Sequence, residues 1–429
     1  MVDDSHISKF EFLSDFAGSN FGFGMPSALR LWLPISFRSP VDSSFGILPP
    51  SMTIQSAKPL KTVLIIAALA LATLTASAID FRGAQFIDFK NLSTFTRSAG
   101  EAPGEWVYTS KEIRTSVPWT ELVASWNLEA VPSSYVKIEV RALHDDHLTK
   151  YYTLGLWSPT PETHPLKSVP NQKDADGDVV TDTLKLKHPA ERAQVRLTLG
   201  RTGPEKAELK LLTLAFLDPR AQPEPLPPNR AAWNKTLDVP ERSQMAYPNG
   251  GTLCSPTTVS MLLAYWAQRL KRPDLDHDVP EIVPRLFDSA WDGAGNWPFN
   301  TAYAGSFRGM RGYVTRLTDV SELEDWIAAG IPVGISVCYN RLRGRTGPYS
   351  GHLVVCVGFT ADGEPIINDP GTRLNVRKTF LRKNLVAAWA YSHHTAYLIY
   401  PESIEVPADR FGHWDSWTAR QRARLTNSD

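Results

Sequence analysis

Only three cysteines occur in 429 residues, and no two of them stand in a Cys-x-x-Cys pair. This excludes a disulfide-stapled scaffold and the usual zinc spacing. Excess charge is lacking too, since Lys plus Arg and Asp plus Glu both number 45. Such a balance gives no electrostatic footprint for nucleic acid. The long apolar run at Val63 to Leu74 falls short of the roughly 20 residues that a membrane helix needs. What is present is an ordinary globular composition, 42% apolar, in a chain long enough for two or three domains.

That apolar run has a different reading. In "KPLKTVLIIAALALATLTASAID", Lys58 and Lys61 form a positive n-region, and Ala76-Ser77-Ala78 makes a small-residue cleavage site. Residues 52–78 are therefore expected to be a signal peptide started at Met52, with residues 1–51 a non-native or disordered extension. The competing reading is a genuine N-terminal arm followed by a signal anchor. Residues 1–78 hold five basic and five acidic residues, so the expected mature chain stays neutral. Its predicted place is secreted, periplasmic or in the cell envelope, with no stable membrane insertion after cleavage.

From 79 to 217 the pattern has period two. Val136, Ile138 and Val140 alternate with Lys137, Glu139 and Arg141, and "VRLTLG" and "ELKLLTLAFL" repeat the alternation. An all-β sandwich domain is expected. Residues 218–231, "DPRAQPEPLPPNRA", form a proline-rich linker, and its prolines predict few contacts between the two regions it joins. From 232 to 402 the texture is α+β. Val259, Leu262, Leu263, Trp266 and Leu270 recur at helical spacing. A second helix is predicted from a Ser321/Glu324 capping box to just before Gly330. The strands "PVGISVCY", "HLVVCVGF" and "PIIND" come next. Residues 403–429 read as a surface tail.

Within "GGTLCSPTTVSMLLAYW", Pro256 is tolerated only in a first helical turn, so a helix starts within a residue or two of Cys254. A thiolate there meets unpaired backbone N–H groups and the positive end of the helix dipole, which lower its pKa. The competing reading is a small buried side chain. A nucleophile needs a base, and the base an orienting group. His352 opens an apolar strand after a glycine. Asn368 and Asp369 end another strand seventeen positions on. Adjacent strand residues face opposite ways, so only one of the two can meet His352. Asp369 is favoured because a carboxylate also stabilises an imidazolium. Gln244, ten residues before Cys254, is a candidate side-chain donor to an oxyanion.

The series Gln244, Cys254-Ser255-Pro256, Gly351-His352 and Asn368-Asp369-Pro370 resembles the papain-like cysteine peptidases of the bacteriocin-processing, double-glycine type. The resemblance covers about residues 232 to 402. It implies Cys254 as nucleophile, His352 as general base, Asp369 as orienter and Gln244 as oxyanion donor. Ser255 departs from the family's usual glycine and puts a side chain against the main chain beside the nucleophile. The chain lacks the GxxxxGK[ST] loop of the ATP-driven exporters that carry some of these peptidases. The reading is an exported cysteine peptidase cleaving peptide or amide bonds of a peptide or cell-envelope substrate. It implies no metal or organic cofactor and no nucleic acid. Its rivals are a non-catalytic binding protein on a peptidase fold, and a peptidoglycan amidase or acyl transferase.

Four features fall outside this constellation. "DADGD" at 174–178 lacks the glutamate that completes a calcium loop, and "HDDH" at 144–147 reads as a polar turn. "GAGNWPFNTAYAGSF" at 293–307 has no clear period and is either the wall of a substrate cleft or core filling. Cys338 and Cys356 sit in apolar strands and read as small buried residues, with a disulfide between them, which export would permit, as the alternative.

Overall fold

The computed structural model describes residues 82–129, 131, 133–201, 208–409 and 414–416. The expected signal peptide, its cleavage site and Met52 lie outside these residues. Among the described residues, no helix is long and apolar enough to cross a membrane.

The first domain is all-β, as its alternation predicts. Its strands are β1 (Ala84–Phe89), β2 (Thr96–Ala99), β3 (Trp106–Thr109), β4 (Ile113–Leu128), β5 (Ser134–Ala142), β6 (Tyr152–Trp157), β7 (Gly177–Val180), β8 (Thr183–Arg201) and β9 (Leu209–Leu217). All belong to one hydrogen-bonded sheet curled into a half-barrel. The long strands cause this. β8 pairs with β7 and β4 in its first half, and with β5 and β3 in its second. The β4–β8 register shifts between Arg114 and Glu121, the kind of bulge that bends a strand. Trp119, Trp126 and Trp157 are buried in the core that the sheet encloses.

The second domain begins with β10 (Lys235–Thr236), α1 (Cys254–Leu270) and α2 (Val279–Ile282). It continues with α3 (Trp297–Ser306), β11 (Met310–Arg316), α4 (Val320–Ala328), β12 (Val333–Cys338) and α5 (Tyr339–Leu342). β13 (Gly351–Phe359), β14 (Pro365–Asn368), β15 (Arg377–Thr379), α6 (Arg382–Trp389) and β16 (Thr395–Pro401) complete it. The antiparallel sheet runs β11-β16-β12-β13-β14-β15, with β10 added on β13. α1 is buried from Cys254 through Ala267 and packs against this sheet. The second predicted helix exists, but its cap is Asp319. That carboxylate accepts from the backbone N–H of Ser321 and Glu322, so the helix starts one residue before Ser321. Glu324 instead takes Arg382 and the Trp233 indole N–H.

Three expectations about organisation change. First, the linker is docked: Leu226 N–H donates to Asp319 and Asn229 N–H to Glu324. Second, the domains share a buried interface. β11 is the outer strand of its sheet, and β4 supplies side chains to its open edge. Asn127 donates to the Gly312 carbonyl at 2.7 Å and accepts from its N–H at 3.1 Å. Ser125 Oγ accepts from Val314 N–H at 2.9 Å. α3 is wedged between the domains, with Phe299 and Ala302 in the β-domain core and Tyr303 and Ala304 in the other. Third, part of the expected surface tail is a strand: β17 (Trp414–Ser416) pairs in parallel with β1.

The structure leaves Cys338 and Cys356 as free, buried thiols. The β12–β13 register sets Cys338 against Gly351 and Cys356 against Val333, at opposite ends of the ladder. That separation is too great for a disulfide.

Candidate active site

α1 begins at Cys254 and has no side chain capping its start. Its first N–H groups are therefore available to a negative charge. The Ser255 hydroxyl does not crowd the backbone. It turns into the core and lies 3.0 Å from the Tyr397 hydroxyl on β16. Pro256 sits inside the first turn, where its missing N–H costs nothing.

His352 is the second residue of β13, and Asp369 directly succeeds β14. The two strands run antiparallel, which returns the chain past the imidazole. His352 Nε2 stands 2.9 Å from Asp369 Oδ1. A carboxylate only accepts, so Nε2 carries the hydrogen. Nδ1 is then the ring nitrogen left for the thiol. Asp369 also accepts from Gly371 N–H at 2.9 Å and from the Tyr339 hydroxyl at 3.0 Å. Gly371 has a steric reason: a Cβ there would stand 2.9 Å from Tyr339 Oη and 3.1 Å from His352.

These contacts shape the titrations. Burial alone would raise the Cys254 thiol. The hydrogen bond and charge of His352, with the N–H groups of Leu353 and Ser255, outweigh it and lower the pKa. Burial alone would lower His352, yet its bonds to Asp369 and Cys254 push it up to about 9. Asp369 is held below the carboxylate range, since His352, Gly371 and Tyr339 together outweigh its burial. Cys356, buried without such partners, is pushed up to about 12. The contrast between the two cysteines is environmental: a thiolate–imidazolium pair suits Cys254 only.

Asn368 faces away, as the strand alternation requires. Its amide reaches the Val239 and Pro240 carbonyls, and its oxygen accepts from Arg377. Gln244 is placed less directly. Its backbone N–H donates to the Pro370 carbonyl at 3.0 Å, and its side-chain amide donates to the Gly250 carbonyl at 2.6 Å. Gly250 permits this approach, because a Cβ would lie 2.2 Å from the Gln244 carbonyl oxygen. Gln244 is thus tied to both the Asp369 turn and the loop entering α1, with one amide hydrogen already used.

Tyr339 was not legible in the sequence. Its ring stands 4.1 Å from the His352 ring, centroid to centroid, and burial beside Asp369 keeps its hydroxyl protonated as a donor. Nothing in "VCYNRL" marks it out, since α5 and the register of β12 bring it there. The two polar turns also meet in space, with His147 Nε2 3.0 Å from Asp176. Among the described residues, no group of three or more His, Cys, Asp or Glu is placed to hold a metal.

Similarity to known proteins respects the same division. Residues 94–217 match the model of the peptidase C39 N-terminal domain, and residues 236–397 match the peptidase C39-like family. No curated protein matches the sequence. Among solved structures, one described as a C39-like peptidase from Bacillus anthracis is 15% identical, with a TM-score of 0.31. That match covers 39% of this chain and 97% of the other. A carbohydrate-binding module of the β-sandwich superfamily is 13% identical over 33% of this chain and 61% of its own, with a TM-score of 0.14. With both family models falling on the two domains in order, the chain joins a domain of the papain-like, peptidase C39-like family to an N-terminal β-rich domain of the kind found in C39 peptidases.

Proposed function

We propose that this protein is an exported cysteine peptidase, in which Cys254, His352 and Asp369 cleave peptide or amide bonds. The observation that supports it most is the pairing of His352 Nε2 with Asp369, which leaves Nδ1 to Cys254 while the thiol is lowered and the imidazole raised. The Cys254 thiolate attacks the scissile carbonyl carbon. The resulting oxyanion draws on the free N–H groups at the start of α1 and on the second amide hydrogen of Gln244. His352 then protonates the leaving amine from Nδ1 and a thioester remains. Water, deprotonated by the same nitrogen, hydrolyses it and restores the thiol. Asp369 holds the ring and stabilises its charge throughout. Export rests on the basic, apolar and Ala-Ser-Ala sequence of residues 52–78.

The test is labelling of the full chain by a thiol-directed electrophile, alongside hydrolysis of a mixed peptide library. Rapid labelling at Cys254 over Cys338 and Cys356, with hydrolysis lost in Cys254→Ala, is expected. Labelling without hydrolysis would favour a binding protein, and products carrying a transferred acyl group would favour a transferase. Export is checked by sequencing the secreted protein, which should begin at Ile79.

A further inference from the structure

The rim of the site is charged unlike the chain as a whole. Residues 339–350, "YNRLRGRTGPYS", join β12 to β13 and carry Arg341, Arg343 and Arg345 with no acidic residue. Beyond Asp369, the loop "PGTRLN" adds Arg373. Among the described residues, none of these four has a carboxylate partner; Arg242, Arg272, Arg316, Arg377 and Arg382 of the same domain each lie on one, while Arg269, Arg285, Arg308 and Arg311, elsewhere in its sequence, do not. In a chain with equal acid and base, an unneutralised cluster is a local choice.

Its position ties it to the chemistry. The Arg343 guanidinium lies 3.8 Å from the centroid of the Tyr339 ring, whose other neighbour is the His352 ring. The same ring thus neighbours both this cation and the imidazole. Arg373 is two residues past Gly371, where an added Cβ would stand 2.9 Å from Tyr339 Oη and 3.1 Å from His352. Arg341 stands over Tyr349, and Tyr349 stacks on Tyr391. Exposed apolar groups intersperse the cations: Tyr349 is 40% and Leu374 79% exposed. All four cations are arginines, whose planar forks match carboxylates in pairs.

We propose that this rim binds an acidic segment of the peptide substrate, alongside the bond that Cys254 attacks. This rests on the peptidase reading above and names its substrate class. The alternating cations and exposed Tyr and Leu side chains suit an extended chain of Glu or Asp and apolar residues.

The test uses the full chain as Cys254→Ala and two fluorescein-labelled peptides, one of Glu-Gly-Leu repeats and one of Gln-Gly-Leu repeats. Fluorescence anisotropy should show the Glu peptide binding about tenfold more tightly at low salt, with the gap closing at high salt. Arg345→Glu with Arg373→Glu should abolish that preference, and Arg345→Gln with Arg373→Gln should reduce it if the reversal fails to fold. Equal affinity for both peptides, or a preference unchanged in a folded double variant, overturns the proposal. So does binding to phosphatidylglycerol vesicles without binding to the Glu peptide, which would assign the rim to a membrane. Cys254-dependent hydrolysis with no acidic preference would sink this inference alone. Acidic-peptide binding without any hydrolysis would sink the peptidase reading alone.

Discussion

Cys254 and His352 shift each other's titration in opposite directions, and activity should show both limbs. The thiolate–imidazolium form appears as pH rises through the lowered pKa of Cys254 and is lost as pH rises through that of His352, near 9. A bell-shaped kcat/KM profile with its alkaline limb near pH 9 is expected, and a limb near pH 6.5, the unperturbed histidine value, would contradict the pairing. Asp369→Ala removes the carboxylate that holds the imidazolium. Turnover should fall by about two orders of magnitude or more, and the alkaline limb should move down. Asn368→Ala has a different cost. Its amide serves the buried Val239 carbonyl, the half-buried Pro240 carbonyl and Arg377, so stability should drop by about 1–3 kcal/mol while the pH profile stays put. Urea unfolding beside kinetics separates the two variants. Tyr339→Phe keeps the ring over His352 and removes one donor to Asp369. A loss of about three- to tenfold in kcat/KM is expected, with electrophile labelling of Cys254 retained.

α3 shows how an element can hide from its own sequence. All but its first residue are buried, because it lies between two cores. A helix covered on every side needs no polar face, so the periodicity that reveals surface helices is missing. Only the Asn296 cap and Pro298 mark its start. Phe299 reaches the β-domain, with its ring 6.1 Å from that of Trp126. Phe299→Ala should therefore destabilise by about 3–5 kcal/mol. Thermal unfolding should still show one transition, since both domains lose packing together. Two separate transitions would mean that α3 belongs to one domain only.

Across the whole molecule, the β-domain completes the peptidase sheet. Without it, β11 exposes N–H and C=O groups now met by Asn127 and Ser125, an open edge that invites pairing between chains. Arg316 would also lose Glu121, a carboxylate it shares with Lys185 and His393. Burial already lowers the Arg316 pKa. A chain starting near Ala231 should aggregate or fail to fold, against the independence that the linker's prolines suggest. A soluble, folded truncation with a cooperative melt would show the interface to be dispensable.

Much of the candidate site was legible because each of its residues carries a local signal. Pro256 fixes the start of α1 at Cys254, Gly351-His352 opens a strand, and Asp369-Pro370-Gly371 closes one with a turn. The period-two pattern likewise announced an all-β first domain. Tertiary structure alone decided the rest. Tyr339 reaches Asp369 only through the register of β12 on β13, and the arginine rim gathers from two loops that are separate in sequence. The interface was hidden because Asn127, Ser125 and Glu121 look like ordinary solvent-facing positions until β11 is laid against them. Periodicity records which face of an element is buried, but not which partner buries it. Partners are chosen by contacts between residues distant in the chain, and a single sequence does not print those contacts.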